Sequence, residues 1–400
     1  MVIYGAFIII AFIIDSPKEI ILGLKEIIIS PDILITDYVE LGGIGASLVN
    51  SGLTSIFSIL ILVINKIKPN GATIMSLWLM TGFAFFGKNI LNIWPIIIGV
   101  FIYSEYQKEP FLNYSLVALL STTLAPAVSQ LAYTNHFSSK FIAILIGYGL
   151  GILIGFIIAP ISSHVLKSHS GFNLYNVGFA GGLLATIFMS LFRLFGIKFE
   201  SRLIWHTGSN LFFSILIFSI CFLLIFVGLY HNPHPKENLK SILKEPGRLV
   251  TDYYLLFGET CYINMGMLGI LSTTLVLILG ADLNGPTISG IFTIIGFGAL
   301  GKHLRNVIPI LIGAILCGFI SESSITSPSI IISVLFSTAL APIAGKYGYF
   351  IGIIAGFLHV STVVNVGYLH GGLNLYNNGL AAGFVAMVLI PVVNILKKES

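Results

Sequence analysis

Charge is scarce in this chain. Asp, Glu, Lys and Arg make up 9% of its 400 residues, against about 25% in soluble domains. Hydrophobic residues make up 56%. A soluble fold is excluded on those grounds. Cysteine is also rare. Cys221, Cys261 and Cys317 fall within or at the edge of apolar runs, where thiols act as small packing residues. They define neither a disulfide framework nor a metal-ligand spacing. No GxxxxGK[ST] phosphate-binding loop (Lys88 and Lys302 are followed by Asn89 and His303), no GxSxG elbow and no HExxH motif is present. No carboxylate pair lies in an apolar run. An enzyme, a cofactor, a metal site and a nucleic-acid partner are therefore not expected.

What the chain has in abundance is uninterrupted apolar sequence. About 20 residues at 1.5 Å per residue cross the ~30 Å hydrocarbon core of a bilayer, and runs of that order recur throughout. Runs such as 141–158 do not alternate, so a β-barrel is excluded. The fold class expected is all-α: a polytopic helical protein, multi-pass in the cell membrane, with lipid as its surroundings. Val2–Ile14 lacks the basic segment and cleavage site of a signal peptide and reads as a short first span.

The sequence is also duplicated. Thr36-Asp37-Tyr38 recurs as Thr251-Asp252-Tyr253, and Asn50-x-Gly52 as Asn264-x-Gly266. Residues 70–99 align without a gap to 284–313 with 13 identities in 30 positions. Thr123-Leu-Ala-Pro126 matches Ala339-Leu-Ala-Pro342. Gly-Phe-Asn-Leu-Tyr-Asn at 171–176 recurs as Gly-Leu-Asn-Leu-Tyr-Asn at 372–377. Two repeats follow, 1–205 and 206–400. The first carries an extra insertion around Ser129–Lys140, expected to be a surface loop. The runs after Asn70-Gly71 and Asn284-Gly285 are short for full spans and read as re-entrant half-helices. Inverted repeats are expected by analogy with transporters.

Polar backbone at membrane depth is tolerated only inside protein or against water. The paired breaks are therefore the candidate site. Asn173, Tyr175 and Asn176, with Asn374, Tyr376 and Asn377, offer amides and phenols without formal charge. They suit a small, neutral, hydrogen-bonding solute. Asn70/Thr73 and Asn284/Thr287 read as helix starts whose free N–H groups and dipoles point at that solute. Gly178-x-x-x-Gly182 and Gly379-x-x-x-Gly383 read as close-packing faces. His359, His370 and His169, and Glu259 at a span start, are candidates for proton or ion coupling. Lys88 and Lys302 read as orientation or snorkelling residues, and Asp37 and Asp252 as part of an interfacial segment.

The two-copy layout closing on Asn-Leu-Tyr-Asn resembles an uncharacterised family of prokaryotic membrane proteins, domain of unknown function 1576. A partial likeness is to urea transporters. Asn284-Gly285-Pro286-Thr287 resembles the start of their pore helix, and residues 372–379 resemble their Gly-Leu-Tyr-Gly-Phe-Asn-Gly segment, although the Gly-Phe-Asn order is not kept. That likeness implies two inverted halves around a pore for a small amide. Transport of a small polar solute is the function expected, with a non-transporting membrane protein as the alternative and homo-oligomerisation left open.

Overall fold

The computed structural model describes residues 1–134, 137, 139–249 and 251–398. It is helical throughout, and among the described residues nine helices are long and apolar enough to cross a membrane. The chain is a polytopic helical membrane protein built from two copies of one unit. In the first copy the short apolar helix Val2–Ile14 is followed by the long helices Ile44–Ile64, a broken helix from Ser115 to Tyr133, Lys140–Val165 and Asn176–Leu194. In the second the long helices are Asn210–His231, Thr260–Ile278, a broken helix from Pro328 to Tyr347, Tyr349–His370 and Asn377–Lys398. The insertion expected at Ser129–Lys140 is helical up to Tyr133. Positions 135, 136 and 138 lie outside the described residues.

The Asn-Gly runs form the 13-residue helices Gly71–Phe83 and Gly285–Phe297. Neither crosses. Gly71–Phe83 starts beside Asp252 and ends beside Asp37, where the Tyr38 amide donates to Phe85 O at 3.1 Å. The chain turns at Lys88 and returns as Trp94–Gln107. This helix runs alongside Lys140–Val165 in the same direction, with Pro95 against Gly151 and Tyr106 against Phe156. Each copy thus holds the same series of helices, with one short-helix hairpin. Corresponding helices run in opposite directions, so the copies are inverted. The helix Val2–Ile14 ends on the Asp37 side, where Asp15 Oδ2 accepts from the Gly45 amide at 2.8 Å. Its counterpart Asn210–His231 starts there, with Asn210 Oδ1 accepting from the Leu283 amide at 2.6 Å.

The two short helices pack against each other at the centre and run antiparallel. Gly82 faces Ser289 and Phe292, while Gly296 faces Met75 and Trp78. Hydrocarbon supplies no hydrophobic drive between helices, so close contact across small residues holds them together. The broken helices break just before Pro126 and Pro342, which remove a backbone donor. A 3₁₀ turn precedes each proline, Thr122–Leu124 and Ser337–Leu340. Each break receives the Asn-Leu-Tyr-Asn stretch of the other copy. The Leu375 amide donates to Thr123 O at 2.9 Å, and the Leu174 amide to Ala339 O at 3.0 Å.

Candidate functional site

Each Asn-Leu-Tyr-Asn stretch is built from its own first asparagine. Asn173 Oδ1 accepts from the Tyr175 amide at 2.9 Å, and Asn374 Oδ1 from the Tyr376 amide at 3.2 Å. The amide ends reach across the repeats, Asn173 Nδ2 to Gly379 O at 2.9 Å and Asn374 Nδ2 to Gly178 O at 3.1 Å. Gly178 and Gly379 meet face to face, and Gly182 packs on Leu380. The glycines therefore serve close helix packing, and the first asparagines lock the two stretches together. Asn176 and Asn377 hold histidines, His169 at 3.0 Å and His370 at 2.7 Å. His359 is held by Asn378 at 2.9 Å. Glu259 lies half-buried at the start of Thr260–Ile278, away from these stretches.

The half-helix starts differ from expectation. Asn70 with Thr73, and Asn284 with Thr287, close reciprocal capping boxes. The next free amide is taken by an acid of the opposite copy: Gly71 N donates to Asp252 Oδ2 at 2.8 Å and Gly285 N to Asp37 Oδ1 at 3.2 Å. These amides do not point into open space. Asp37 and Asp252 are correspondingly not residues of a lipid-facing segment. Each cements the end of one half-helix to the start of the other. Only glycine fits at the contact, because a Cβ on Gly71 would lie 2.3 Å from Ala299 O and one on Gly285 2.3 Å from Phe85 O. The repeated Thr-Asp-Tyr was the sequence signal for this device.

Lys88 and Lys302 neither snorkel nor set orientation. Both are fully buried. The repeated asparagines secure their corners: Asn50 Nδ2 donates to Lys88 O at 2.9 Å and Asn264 Nδ2 to Lys302 O at 2.7 Å. Lys88 Nζ donates to Tyr376 Oη at 2.8 Å, and Lys302 Nζ to Tyr175 Oη at 2.6 Å and Thr338 Oγ1 at 2.7 Å. Each lysine thus holds a tyrosine of the other repeat, and each ammonium also lies over that ring, at 4.8 and 4.6 Å from its centroid. Among the described residues the ion pair found is His206–Glu40, so neither lysine has an acidic partner.

These two tyrosines face a cavity of about 480 Å³ between the repeats. Ala72, Met75, Leu79 and Phe83 form one stripe of the first half-helix along its wall, and Thr293, Phe297 and Leu300 come from the second hairpin. Asn176, Val177 and Gly178 add the first turn of a crossing helix. The stripe spans about 16 Å at 1.5 Å per residue. Asp252 lies on the wall at the end bearing Ala72. The opposite end is covered, because the segment joining the repeats lies over Asp37. Ile204 N donates to Ile35 O at 3.1 Å and His206 N to Asp37 Oδ2 at 3.0 Å. The cavity gathers Tyr175, Asn176 and Tyr376 from the candidate list. Asn173 and Asn374 are buried behind it, and Asn70, Thr73, Asn284, Thr287, Asn377, His359, His370 and Glu259 are not on its wall.

One buried acid breaks the pseudo-symmetry. Asp32 stands where the second copy has Gly247, in the loop before Tyr38, and is fully buried. Its Oδ2 accepts from Asn92 Nδ2 at 3.1 Å, and the Ser129 and Tyr38 hydroxyls also interact with the carboxyl. Burial pushes its carboxyl up to about 8. An acid raised on folding stabilises the fold while it is protonated, and that stability drains away as pH rises toward the raised value. Asp37, raised by burial to about 6, titrates mostly below this window. Between pH 6.5 and 8 the purified protein is expected to lose stability at up to about 1.4 kcal/mol per pH unit through Asp32. Melting curves of Asp32→Asn should be flatter over that range; an unchanged slope refutes the assignment.

Comparison with known proteins adds the family. A family model described as "Protein of unknown function (DUF1576)" matches residues 16–194 and again 232–395. No curated protein and no solved structure matches this chain.

Proposed function

The chain belongs to this family of unknown function, and from the arrangement of its own residues we propose that it is a transport protein of the cell membrane. Its solute binds in the cavity between the inverted repeats. The observation that carries the reading is the cavity itself. It is walled by re-entrant helices entering from opposite sides and by the closing stretches of both copies. Inverted repeats meeting at broken helices near the membrane centre are a common transporter plan. One end is lined by Ala72, Asp252 and Leu255, and the other lies under the segment joining the repeats. Access from one side at a time follows if that segment and the Asp252 end alternate in covering the path. Tyr175, Tyr376, Asn176, Asn378 and Thr293 are the uncharged polar groups on the wall available to the solute, with Asn173 and Asn374 as positioning residues.

Uptake of a panel of small solutes into proteoliposomes is the direct test. Tryptophan at Ala72 fills the mouth from a half-buried position and is expected to reduce uptake at least tenfold without loss of folded protein. Undiminished uptake by Ala72→Trp removes the cavity from the path.

A further inference from the structure

We propose that Asp32 is a proton site that couples transport to pH. It holds a proton while the segment joining the repeats covers the Asp37 end of the cavity, and releases it to water on that side when the segment lifts. The inference deepens the transport reading and rests on it for the coupling, though not for the proton or the movement.

Three observations converge. The first is where the acid sits. Asp32 is fully buried, and its carboxyl meets Asn92 Nδ2 of the hairpin corner at 3.1 Å, the Ser129 hydroxyl of the broken helix and the Tyr38 hydroxyl. The titratable and charged groups that face it are Tyr38, Tyr133 on the broken helix and Arg202 on the joining segment. Lys88 of the corner turns instead to Tyr376. Among the described residues no cation lies within ion-pair distance of the carboxyl, and an unpaired carboxyl at this depth favours its protonated form. Burial raises it to about 8, so the proton is held at neutral pH.

The second observation is that one copy alone has the acid. The other keeps the frame, with Tyr253 and Asn306 at the matching positions, and has Gly247 in place of Asp32. A Cβ there would lie 2.0 Å from Gly301 O and 2.6 Å from Asn306 Nδ2. The frame therefore folds without a carboxyl, and packing does not require one. Buried ionisable groups of this kind in membrane proteins mark ion and proton paths.

The third is what the loop carries. The joining segment pairs with the loop that holds Asp32: Ile35 N donates to Arg202 O at 3.2 Å, Ile204 N to Ile35 O at 3.1 Å and Asp37 N to Ile204 O at 3.2 Å. Arg202 Nη1 also reaches Pro31 O, next to Asp32, at 3.4 Å. Outside the loop lies a polar cavity of about 450 Å³ walled by Pro31, Gln130, Lys198, Glu200 and Arg202, with Lys198 and Glu200 exposed. When the segment lifts, water from this cavity reaches the carboxyl. The O–H bond breaks, the proton passes to water, and the carboxylate is left hydrated beside Arg202. Resealing takes the proton back. The link to the solute runs through Asn92, whose Nδ2 also holds Gly87 O at 3.2 Å. Gly87 precedes Lys88, which grips Tyr376 on the cavity wall.

Hydrogen exchange on the purified protein reads the segment directly. The probe amides are Ile35, Asp37, Ile204 and His206; the reference amides are Leu174 and Tyr253, bonded to Ala339 O and Ala299 O. After correction for the chemical exchange rate, opening at the probe amides is expected to become about tenfold easier from pH 6.5 to 7.5, the full effect of one proton lost on opening. Asp37 titrates mostly below this range. The probe amides should open ahead of the reference amides at both pH values. In Asp32→Asn they should lose their pH dependence. Probe amides in the wild type that open equally at both pH values overturn the proposal, and need no variant to fold. Probe and reference amides opening together would also overturn it, because the proton then leaves only on unfolding. So would a pH dependence that survives Asp32→Asn. Flux separates the two readings. A solute that the uptake panel identifies should accumulate in wild-type proteoliposomes under an imposed pH gradient and only equilibrate with Asp32→Asn. Uptake indifferent to the pH gradient would end the coupling and leave transport standing. Asp32-dependent opening without uptake of any panel solute would do the reverse, leaving the proton site and ending the transport reading.

Discussion

Valine at Gly313 is expected to leave almost no folded protein. A Cβ there would lie 1.8 Å from Ile353 O, a backbone atom of Tyr349–His370. The facing position is equally tight, since a Cβ on Gly356 would lie 2.0 Å from Ile310 O. Side chains give way by changing rotamer, but two helix backbones can only move apart. The helices Leu304–Ile320 and Tyr349–His370 would then lose van der Waals contact along their length, and packing is the main force between helices in lipid. A loss of more than about 3 kcal/mol follows, at the far end of single substitutions. The first repeat contains the same pair, with Gly99 2.0 Å from Ile152 O and Gly155 2.0 Å from Ile96 O, so Gly99→Val should fail alike. The control is Gly367→Val on the same helix, where nothing lies within 4 Å of the added atom. Yield of monodisperse protein and melting temperature measure the effect. A Gly313→Val protein as stable as Gly367→Val would refute the packing described.

Alanine at Asp37 is expected to be the most damaging change among the polar residues. The Asp37 carboxylate is fully buried and accepts three backbone amides, from Val39 at 2.9 Å, His206 at 3.0 Å and Gly285 at 3.2 Å. Each amide left without a partner in this buried position costs about 1–3 kcal/mol. The pseudo-equivalent Asp252 accepts two, from Gly71 and Leu255, and is only half-buried. Asp37→Ala should therefore lower stability about twice as much as Asp252→Ala. The inequality arises because the segment joining the repeats adds His206 to one end of the pair, and among the described residues the other end has no such strap. Denaturation of the two variants in parallel tests this, and equal losses would sink it. Asp37→Asn is the milder companion. It keeps an acceptor oxygen but turns one oxygen into a donor facing backbone N–H groups.

The sequence by itself determined that the protein lives in lipid, because too few charges and too many uninterrupted apolar runs leave no other solvent. It also determined the duplication, the half-helix starts at Asn70 and Asn284, and the packing role of the glycines after each Asn-Leu-Tyr-Asn. Those features are written in composition, period or spacing, and each depends on residues a few positions apart. Repeat orientation was visible only by analogy with transporters.

Only the tertiary structure decided which residues of one repeat serve the other. Lys88 meets Tyr376 and Lys302 meets Tyr175 across 288 and 127 positions, and Asp37 caps a helix 248 positions away. No local pattern distinguishes a lysine that reaches a lipid headgroup from one sealed against a phenol. The difference is burial, which depends on what the opposite repeat brings to the same point. The fate of the half-helix amides turned on the same fact. Their ends looked free in sequence because the acid that fills each one belongs to the other copy. In an inverted duplication the central contacts are exchanged between halves, so the chemistry at the centre cannot be read from either half alone.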